Sequence, residues 1–435
     1  MSNTWFRLRR GFFLSFFPSD TPHYENVPFE LPNSWVWCRL EDIAYVASGS
    51  TPDKTCFVEN GVPYIKMYNL RNQKIDFAYH PQYITEEVYN GKLQRSRTEV
   101  GDLIMNIVGP PLGKLAIIPT TLPQANFNQA AVLIRPYKFK EVLVSYLKVY
   151  LEEMSEINSI ATRGSAGQVN ISLTQSQNMR IPIPPLNEVR RIIEEVSKYD
   201  ILIDSLKQNI TDIQNLIAYT KSKILDLAIH GKLVPQDPND EPAIELLKRI
   251  NPDFTPCDNG HYPVGWIETI LGELFSHNTG KALNSSNKEG IFKDYLTTSN
   301  VYWNKFDFTA IKQMPFKESE LNKCTVTKGD LLVCEGGDIG RSAIWNYDYD
   351  ICIQNHIHRL RPKIDLCVPF YYYTFAYLKE NNLIGGKGIG LLGLSSNALH
   401  KIEMPLPPLA EQQRIVQKIE ELFSVLDNIQ NALEV

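Results

Sequence analysis

The feature that most constrains this chain of 435 residues is an internal repeat. Short anchor motifs of the first half return in the second half in the same order, and the spacing between partners shortens only slightly along the chain. The paired anchors are Leu31–Trp35 with Tyr262–Trp266, Gly101–Leu103 with Gly329–Leu331, Arg135–Pro136 with Arg361–Pro362, and Ile181–Glu188 with Met404–Glu411. This order indicates one ancestral unit used twice with small deletions, so we expect two similar bodies in a pseudo-two-fold internal repeat.

A long helix is predicted after each Pro-rich anchor. Apolar residues recur at alternating spacings of three and four from Val189 to Leu227, and again from Ile415 to Leu433. A seam that narrow is typical of a coiled coil, whereas the alternative is a long helix in the core of a larger domain. The seam residues expected to contact a partner helix or chain are Ile192, Val196, Ile203, Leu206, Ile210, Ile213, Ile217, Ile224, Leu227, Ile415, Ile419, Leu422, Leu426, Ile429 and Leu433.

The second helix is shorter than the first in this sequence. In the register of the repeat, Val435 corresponds to Asp212. Seam residues from about Ile213 onward therefore have no internal counterpart, and we expect another chain to cover them.

The bodies have the pattern of a mixed α/β fold. Short β-rich runs, such as Asp102–Val108 and Asp330–Cys334, alternate with Gly, Asn and Pro turns, and helical stretches fall near residues 142–160 and 369–380. The expected organisation is an atypical lead at 1–25, a first body at 26–185, a central helix and linker at 186–250, a second body at 251–408 and a C-terminal helix at 409–435.

Composition narrows the class of protein. The net charge of −5 argues against non-specific coating of nucleic acid, although the first body is slightly basic and the acidity lies on the helices and the second body. Seven cysteines without a CxxC pair indicate a reducing cytoplasm, and no stretch approaches the ~20 apolar residues of a membrane helix. The run Arg7–Phe17 resembles the start of a secretory signal but lacks a cleavage motif, so a cytoplasmic location is favoured.

A search for catalytic motifs finds no convincing constellation. Gly109–Leu115 is one residue short of a phosphate-binding loop, and Gly385–Gly390 lacks the spacing of a dinucleotide-binding loop. Cys352, His356 and His358 can share one strand face and hold a metal ion, but Gln354 between them favours ordinary strand packing. We therefore expect no catalytic residues, no bound cofactor and no metal in this chain.

Basic and amide side chains occur at repeated positions of the two bodies. Each residue alone is more simply explained as an ordinary surface residue. Together they favour a DNA-binding function, because Lys and Arg bind phosphates while Asn, Gln and Arg form hydrogen bonds with base edges. The predicted DNA-binding residues are Lys66, Asn69, Arg71, Asn72, Lys74, Arg95, Arg97, Lys114, Arg163 and Gln168 in the first body, and Lys281, Asn284, Lys288, Asn300, Lys305, Arg341 and Lys387 in the second.

The motifs together resemble the specificity (S) subunit of type I restriction-modification systems. The resemblance covers nearly the whole chain from about Asn26. The residues that carry it are Leu31–Trp35, Gly49–Pro52, Gly101–Leu103, Asn128–Gln129, Ile181–Leu186 with Glu188, Gly231–Pro242 and Met404–Arg414.

The resemblance implies two target recognition domains joined by a long antiparallel two-helix coiled coil. Each domain would read one half of a split, asymmetric site in double-stranded DNA, and the helices would set the spacing. Two methyltransferase (M) subunits, which bind S-adenosylmethionine, would dock on the helices and cover the seam from Ile213, and restriction (R) subunits would use ATP and Mg. The chain itself would then be a non-catalytic subunit.

Two other interpretations remain open at this point. The chain can be the recognition subunit of a type IIB-like restriction-modification enzyme, whose nuclease and methyltransferase lie in a partner. It can also be a coiled-coil scaffold that acts without DNA.

Overall fold

The computed structural model describes residues 29–109, 112–157, 170–255, 261–283, 289–384 and 394–434. The chain divides into two compact units, Met1–Ser205 and Leu206–Val435, and the division falls within the central helix. Each unit contains two four-stranded sheets and two two-stranded sheets together with helices. The predicted mixed α/β fold with two similar bodies is therefore confirmed.

The first unit is built from short strands. The strands are β1 (Val36–Arg39), β2 (Ala44–Ser48), β3 (Phe57–Val58), β4 (Val62–Ile65), β5 (Leu70–Arg71), β6 (Lys74–Ile75), β7 (Tyr83–Ile84), β8 (Leu103–Asn106), β9 (Leu115–Ile117), β10 (Asn126–Phe127), β11 (Ala131–Pro136) and β12 (Arg180–Ile183). The helices are α1 (Leu40–Ile43), α2 (Glu86–Asn90), α3 (Lys140–Ile157), α4 (Leu173–Gln177) and the first part of α5 (Leu186–Ile229).

The second unit repeats this plan after the end of α5. The strands are β13 (Ile267–Ile270), β14 (Phe275–Thr279), β15 (Ile291–Leu296), β16 (Val301–Tyr302), β17 (Lys305–Phe306), β18 (Lys312–Phe316), β19 (Thr325–Val326), β20 (Leu331–Cys334), β21 (Ser342–Ile344), β22 (Ile351–Ile353), β23 (Ile357–Pro362) and β24 (Glu403–Leu406). The helices are α6 (Ala243–Lys248), α7 (Leu271–Leu274), α8 (Glu318–Cys324), α9 (Val368–Glu380), α10 (Ser396–His400) and α11 (Leu409–Leu433).

The central sheet of each unit is antiparallel, with the order β2-β11-β8-β9 in the first unit and β14-β23-β20-β21 in the second. The middle strands β8 and β20 are apolar at nearly every position because both of their faces are buried. In β8, Leu103 and Met105 pack into one hydrophobic cluster and Ile104 into another, as the alternation of side chains along a strand requires. A second four-stranded sheet and two two-stranded sheets complete each unit.

The repeated anchors have a structural reason in both units. Asp102 accepts hydrogen bonds from Nε and Nη2 of Arg135 at 2.9 and 2.6 Å, and Asp330 does the same with Arg361 at 2.7 and 2.6 Å. Each aspartate also caps a backbone N–H three residues before it, so one carboxylate ties a turn to the facing strand of the central sheet. These bidentate pairs explain why Gly-Asp-Leu and Arg-Pro recur together.

The helices α5 and α11 pack antiparallel within the second unit. Lys221 on α5 pairs with Asp427 near the end of α11, whereas Gln236, which follows α5, bonds Glu411 near the start of α11. Between these points Ile224 of α5 lies in one hydrophobic cluster with Ile419 of α11. The part of the apolar seam near the end of α5 is therefore a helix–helix contact, as the spacing predicts.

The prediction that no internal partner covers the seam from about Ile213 onward is wrong for Ile217 and Ile224. Ile217 is only 4% exposed, and Ile224 is buried in the core of the second unit. In an antiparallel pair the start of α11 lies beside the end of α5, so the end of α5 has an internal partner. Within the second unit, Leu206 and Ile213 of α5 are exposed, as is Ile429 of α11, which lies toward the same end of the contact.

Candidate nucleic-acid interface

Each unit carries a small β-hairpin at the same place in the repeat. In the first unit β5 and β6 are joined by Asn72 and Gln73, and in the second β16 and β17 are joined by Trp303 and Asn304. The φ angles of Asn72 and Gln73 are 48° and 56°, and that of Asn304 is 47°. Two-residue turns of this kind require left-handed backbone, which asparagine adopts more easily than most residues.

A buried asparagine holds each hairpin in place. The Asn69 side-chain amide donates to the carbonyl oxygens of Asp76 and Tyr79 at 3.1 and 2.7 Å, and its Oδ1 accepts from the Lys66 N–H at 2.9 Å. Asn300 makes the equivalent bonds to the Asp307 carbonyl and the Thr297 N–H. The prediction that Asn69 and Asn300 contact DNA is therefore wrong, because both side chains are buried and satisfied by the backbone.

A basic residue lies beside each hairpin. In the first unit Gln73 Oε1 accepts a hydrogen bond from the Leu115 N–H at 2.7 Å, which places Lys114 next to the turn. In the second unit the Asn304 N–H donates to the Ser342 carbonyl at 3.0 Å, which places Arg341 there. The Arg341 guanidinium lies 5.1 Å from the centre of the Tyr302 ring. The two units thus bring a hairpin and a cation together in the same way.

An open concavity of about 510 Å³ surrounds the first hairpin. The guanidinium of Arg71 lies over the Tyr79 ring at 4.2 Å and has its Nε 3.9 Å from Asp76, so stacking and charge hold it flat against the wall. The lining residues are Tyr68, Leu70, Arg71, Asn72, Gln73, Tyr79 and Lys114. Partial burial raises the pKa of Tyr68 above its usual value, and its hydroxyl donates to the His80 carbonyl.

The other predicted basic residues have different surroundings. Lys74 and Lys305 are exposed on the hairpins, and Arg95 is exposed with a 3.3 Å bond to Ser50 Oγ. The Lys66 ammonium is 5.5 Å from the Phe57 ring. Arg97 has its guanidinium tied to the Tyr89 carbonyl and Asn90 Oδ1, and it stacks on the Tyr89 ring.

Lys281 is largely buried and is not positioned as a phosphate-binding residue on the surface. Its ammonium donates to the Pro315 carbonyl and to Glu320 Oε2 at 2.7 and 2.6 Å. The prediction that Lys281 binds DNA is therefore wrong, because its charge is already paired. Five further predicted residues lie outside the described residues: Arg163, Gln168, Asn284, Lys288 and Lys387.

The predicted shared face of Cys352, His356 and His358 does not form. Cys352 lies in β22 and His358 in β23, which belong to different sheets. His358 bonds His277 and the Leu394 carbonyl, while His356 faces Glu335. Within the described ranges no group of three or more His, Cys, Asp or Glu side chains is arranged to hold a metal ion. No helix in the same ranges is long and apolar enough to cross a membrane.

Sequence reasoning missed the aromatic partners of the two cations. Tyr79 lies beyond the hairpin and reaches Arg71 only because Asn69 folds the chain back. Tyr302 occupies the position in the second unit that Arg71 occupies in the first. The alignment of the two repeats was therefore the sequence signal that could have identified Tyr302.

The fold is that of a protein with two similar domains, and the chain belongs to the family of type I restriction modification DNA specificity domains. The family model matches residues 32–215 and again 263–435. The chain is 24% identical to the type I restriction enzyme EcoEI specificity subunit of Escherichia coli, over 94% of this chain and 80% of that protein. It is 23% identical to the EcoKI specificity subunit of Escherichia coli strain K12, over 92% of this chain and 84% of that one.

Solved structures show the same fold. The HsdS subunit from Thermoanaerobacter tengcongensis aligns over 93% of both chains with a TM-score of 0.56 and 19% identity. A chain from a study of complex assembly and conformational transition of the type I R-M system aligns over 94% of both chains, with a TM-score of 0.58 and 20% identity.

Proposed function

We propose that this chain is the DNA-recognition subunit of a type I restriction-modification complex, and that each unit reads one half of a split site. The observation that carries the proposal is the duplicated hairpin with its neighbouring cation, in a chain that contains two matched specificity domains. Phosphate contacts from lysine and arginine would fix the register, and the hairpin tips would contact base edges in the major groove.

The two half-sites should differ in sequence. The first hairpin reads Arg71-Asn72-Gln73-Lys74, and the second reads Tyr302-Trp303-Asn304-Lys305. The last lysine is common to both, which suits a phosphate contact that carries no sequence information. The residues before it differ in chemistry, which suits different bases and hence an asymmetric target.

The helices would set the spacing of the half-sites and dock the partner subunits. Leu216 is 61% exposed and Tyr219 is also exposed on α5, and Val425 is exposed on α11. Exposed apolar side chains in this number on a helix pair suit a protein partner. We assign them to two M subunits, which would bring S-adenosylmethionine, with R subunits supplying ATP and Mg chemistry. In this proposal the chain contributes binding and positioning but no catalytic step.

The proposal is tested by measuring DNA binding of the full chain assembled with methyltransferase subunits. We expect selection of one interrupted motif from a pool of random duplexes, with affinity that falls steeply as salt rises. A scaffold that acts without DNA would select nothing. Cleavage by a single partner chain that also methylates would instead identify a type IIB-like enzyme.

A further inference from the structure

We propose that the side-chain amide of Asn72 reads an adenine in the major groove of the half-site bound by the first unit. The inference rests on the proposed function and deepens it, because it assigns one base contact of the same interface. Its basis is the position of Asn72, the rigidity of its hairpin and the chemistry of the residues around it.

Asn72 is the tip residue that is free to bind a ligand. Its side chain is exposed and makes no hydrogen bond to any other part of the chain that the structure describes. The side chain of the neighbouring tip residue already has a partner within the protein, since Gln73 Oε1 accepts a hydrogen bond from the Leu115 N–H. Arg71 before it is stacked on Tyr79. The amide of Asn72 therefore projects from the turn with both its donor and its acceptor available.

The hairpin holds this amide in a fixed position. Leu70 pairs with Ile75 and Arg71 with Lys74, and the buried Asn69 amide joins the base of the hairpin to the returning chain. Gln73, which has no intrinsic preference for left-handed backbone, nevertheless keeps a φ of 56° because its side chain is anchored. Strain that is maintained in this way is common where a side chain must be preorganised for binding.

The surroundings favour a base over a phosphate as the ligand of Asn72. The nearby cations Lys74 and Lys114 suit phosphate oxygens on the rim of the groove, whereas a neutral amide adds little attraction for an anion. An amide that offers one donor and one acceptor matches adenine, whose N7 accepts and whose N6 amino group donates on the major-groove edge.

The second unit has Trp303 at the position equivalent to Asn72. The indole has one N–H donor and no acceptor, so it cannot form the same pair of hydrogen bonds with adenine. The adenine contact is thus expected in one half-site alone. This asymmetry separates a true base contact from a general effect of the hairpin on DNA affinity.

The experiment compares Asn72→Gly and Asn72→Asp with the unmodified chain, each assembled with methyltransferase subunits and used to select from random duplexes. Glycine keeps the left-handed turn and removes the amide. We expect it to lose about ten- to a hundredfold preference for adenine at one position of one half-site. Aspartate also tolerates this backbone but only accepts hydrogen bonds, so we expect the preference at that position to move towards cytosine.

Two controls separate base reading from folding and from charge. Asn382→Gly replaces another exposed asparagine with a left-handed backbone, on the turn after α9, and should leave both half-sites unchanged. Lys74→Ala should weaken binding to all DNA sequences alike. It should also lower the slope of log affinity against log salt concentration by about one released counterion. If Asn72→Gly and Asn72→Asp retain the adenine preference while the unmodified chain selects a split motif, the inference is wrong and the proposed function stands. If the unmodified chain selects no motif, the proposed function itself fails.

Discussion

Replacing Asp102 by alanine should unfold the first unit selectively. The Asp102 side chain is 0% exposed and is contacted by Arg135, by the Lys140 ammonium at 2.7 Å and by the Glu99 N–H at 2.7 Å. The substitution leaves two cations and a backbone donor without their acceptor. Removal of one partner from a buried ion pair costs about 3–5 kcal/mol, which is a large part of the stability of a single domain.

Asp330→Ala is the matched variant in the second unit. Asp330 has the same bidentate arginine, but the structure gives it no lysine partner among the described residues. Arg361 is also more exposed than Arg135, at 38% against 25%, so water can replace part of the lost interaction. We therefore expect Asp330→Ala to lower the free energy of unfolding by about 2 kcal/mol. The surface variant Glu99→Gln, whose side chain is 62% exposed, should cost less than about 1 kcal/mol.

Hydrogen exchange followed by mass spectrometry distinguishes these outcomes because it reports on each unit separately. For Asp102→Ala we expect exchange to quicken by at least about two orders of magnitude in peptides from β8 and β11, with peptides from β20 and β23 unchanged. Equal effects of the two aspartate variants would refute the ranking by burial. Loss of protection in both units from either variant would refute their independence.

Three further predictions concern the second unit. Burial and the neighbouring His358 and His400 lower the pKa of His277 to about 4, so the unfolded chain takes up a proton between pH 6.5 and 4 that the folded chain does not. Stability measured by urea denaturation should therefore fall as the pH drops through this window, and His277→Gln should flatten the slope. Glu411→Ala should cost about 2–4 kcal/mol in the same assay, because Glu411 accepts from Trp266 Nε1 at 2.8 Å and from Gln236, whereas Glu411→Gln should cost less. Leu216→Glu should abolish co-purification with M subunits without lowering the unfolding free energy, because this side chain is exposed; a stability loss above about 1 kcal/mol would contradict this.

The repeat made much of the fold predictable from the sequence. Gly49 and Gly280, which have the same spacing as Trp35 and Trp266, occupy equivalent places, where an added Cβ would lie 2.0 Å from the carbonyl oxygen of Asn128 or Ile353. The long apolar seam correctly indicated a helix pair. The register of that pair was mistaken, because a repeat aligns the two helices in parallel along the sequence while the folded helices run in opposite directions.

The candidate site was only partly predictable, because residue type does not reveal burial. Asn69 and Asn72 look alike in the sequence, yet one clamps the base of the hairpin and the other projects from its tip. Lys281 looked like a surface clamp, but Glu320 reaches it from a helix far along the chain. Contacts between residues distant in sequence decided each of these cases.

Sequencing of methylated DNA from a host with and without this gene tests the central claim most directly. With the gene present, we expect one interrupted and asymmetric methylation motif that disappears when the gene is deleted. Exchange of residues 31–180 for the first body of another family member should change one half of that motif and leave the other half intact. An unchanged methylation pattern after deletion, or a change in both halves after the exchange, would contradict the account of two independent reading units.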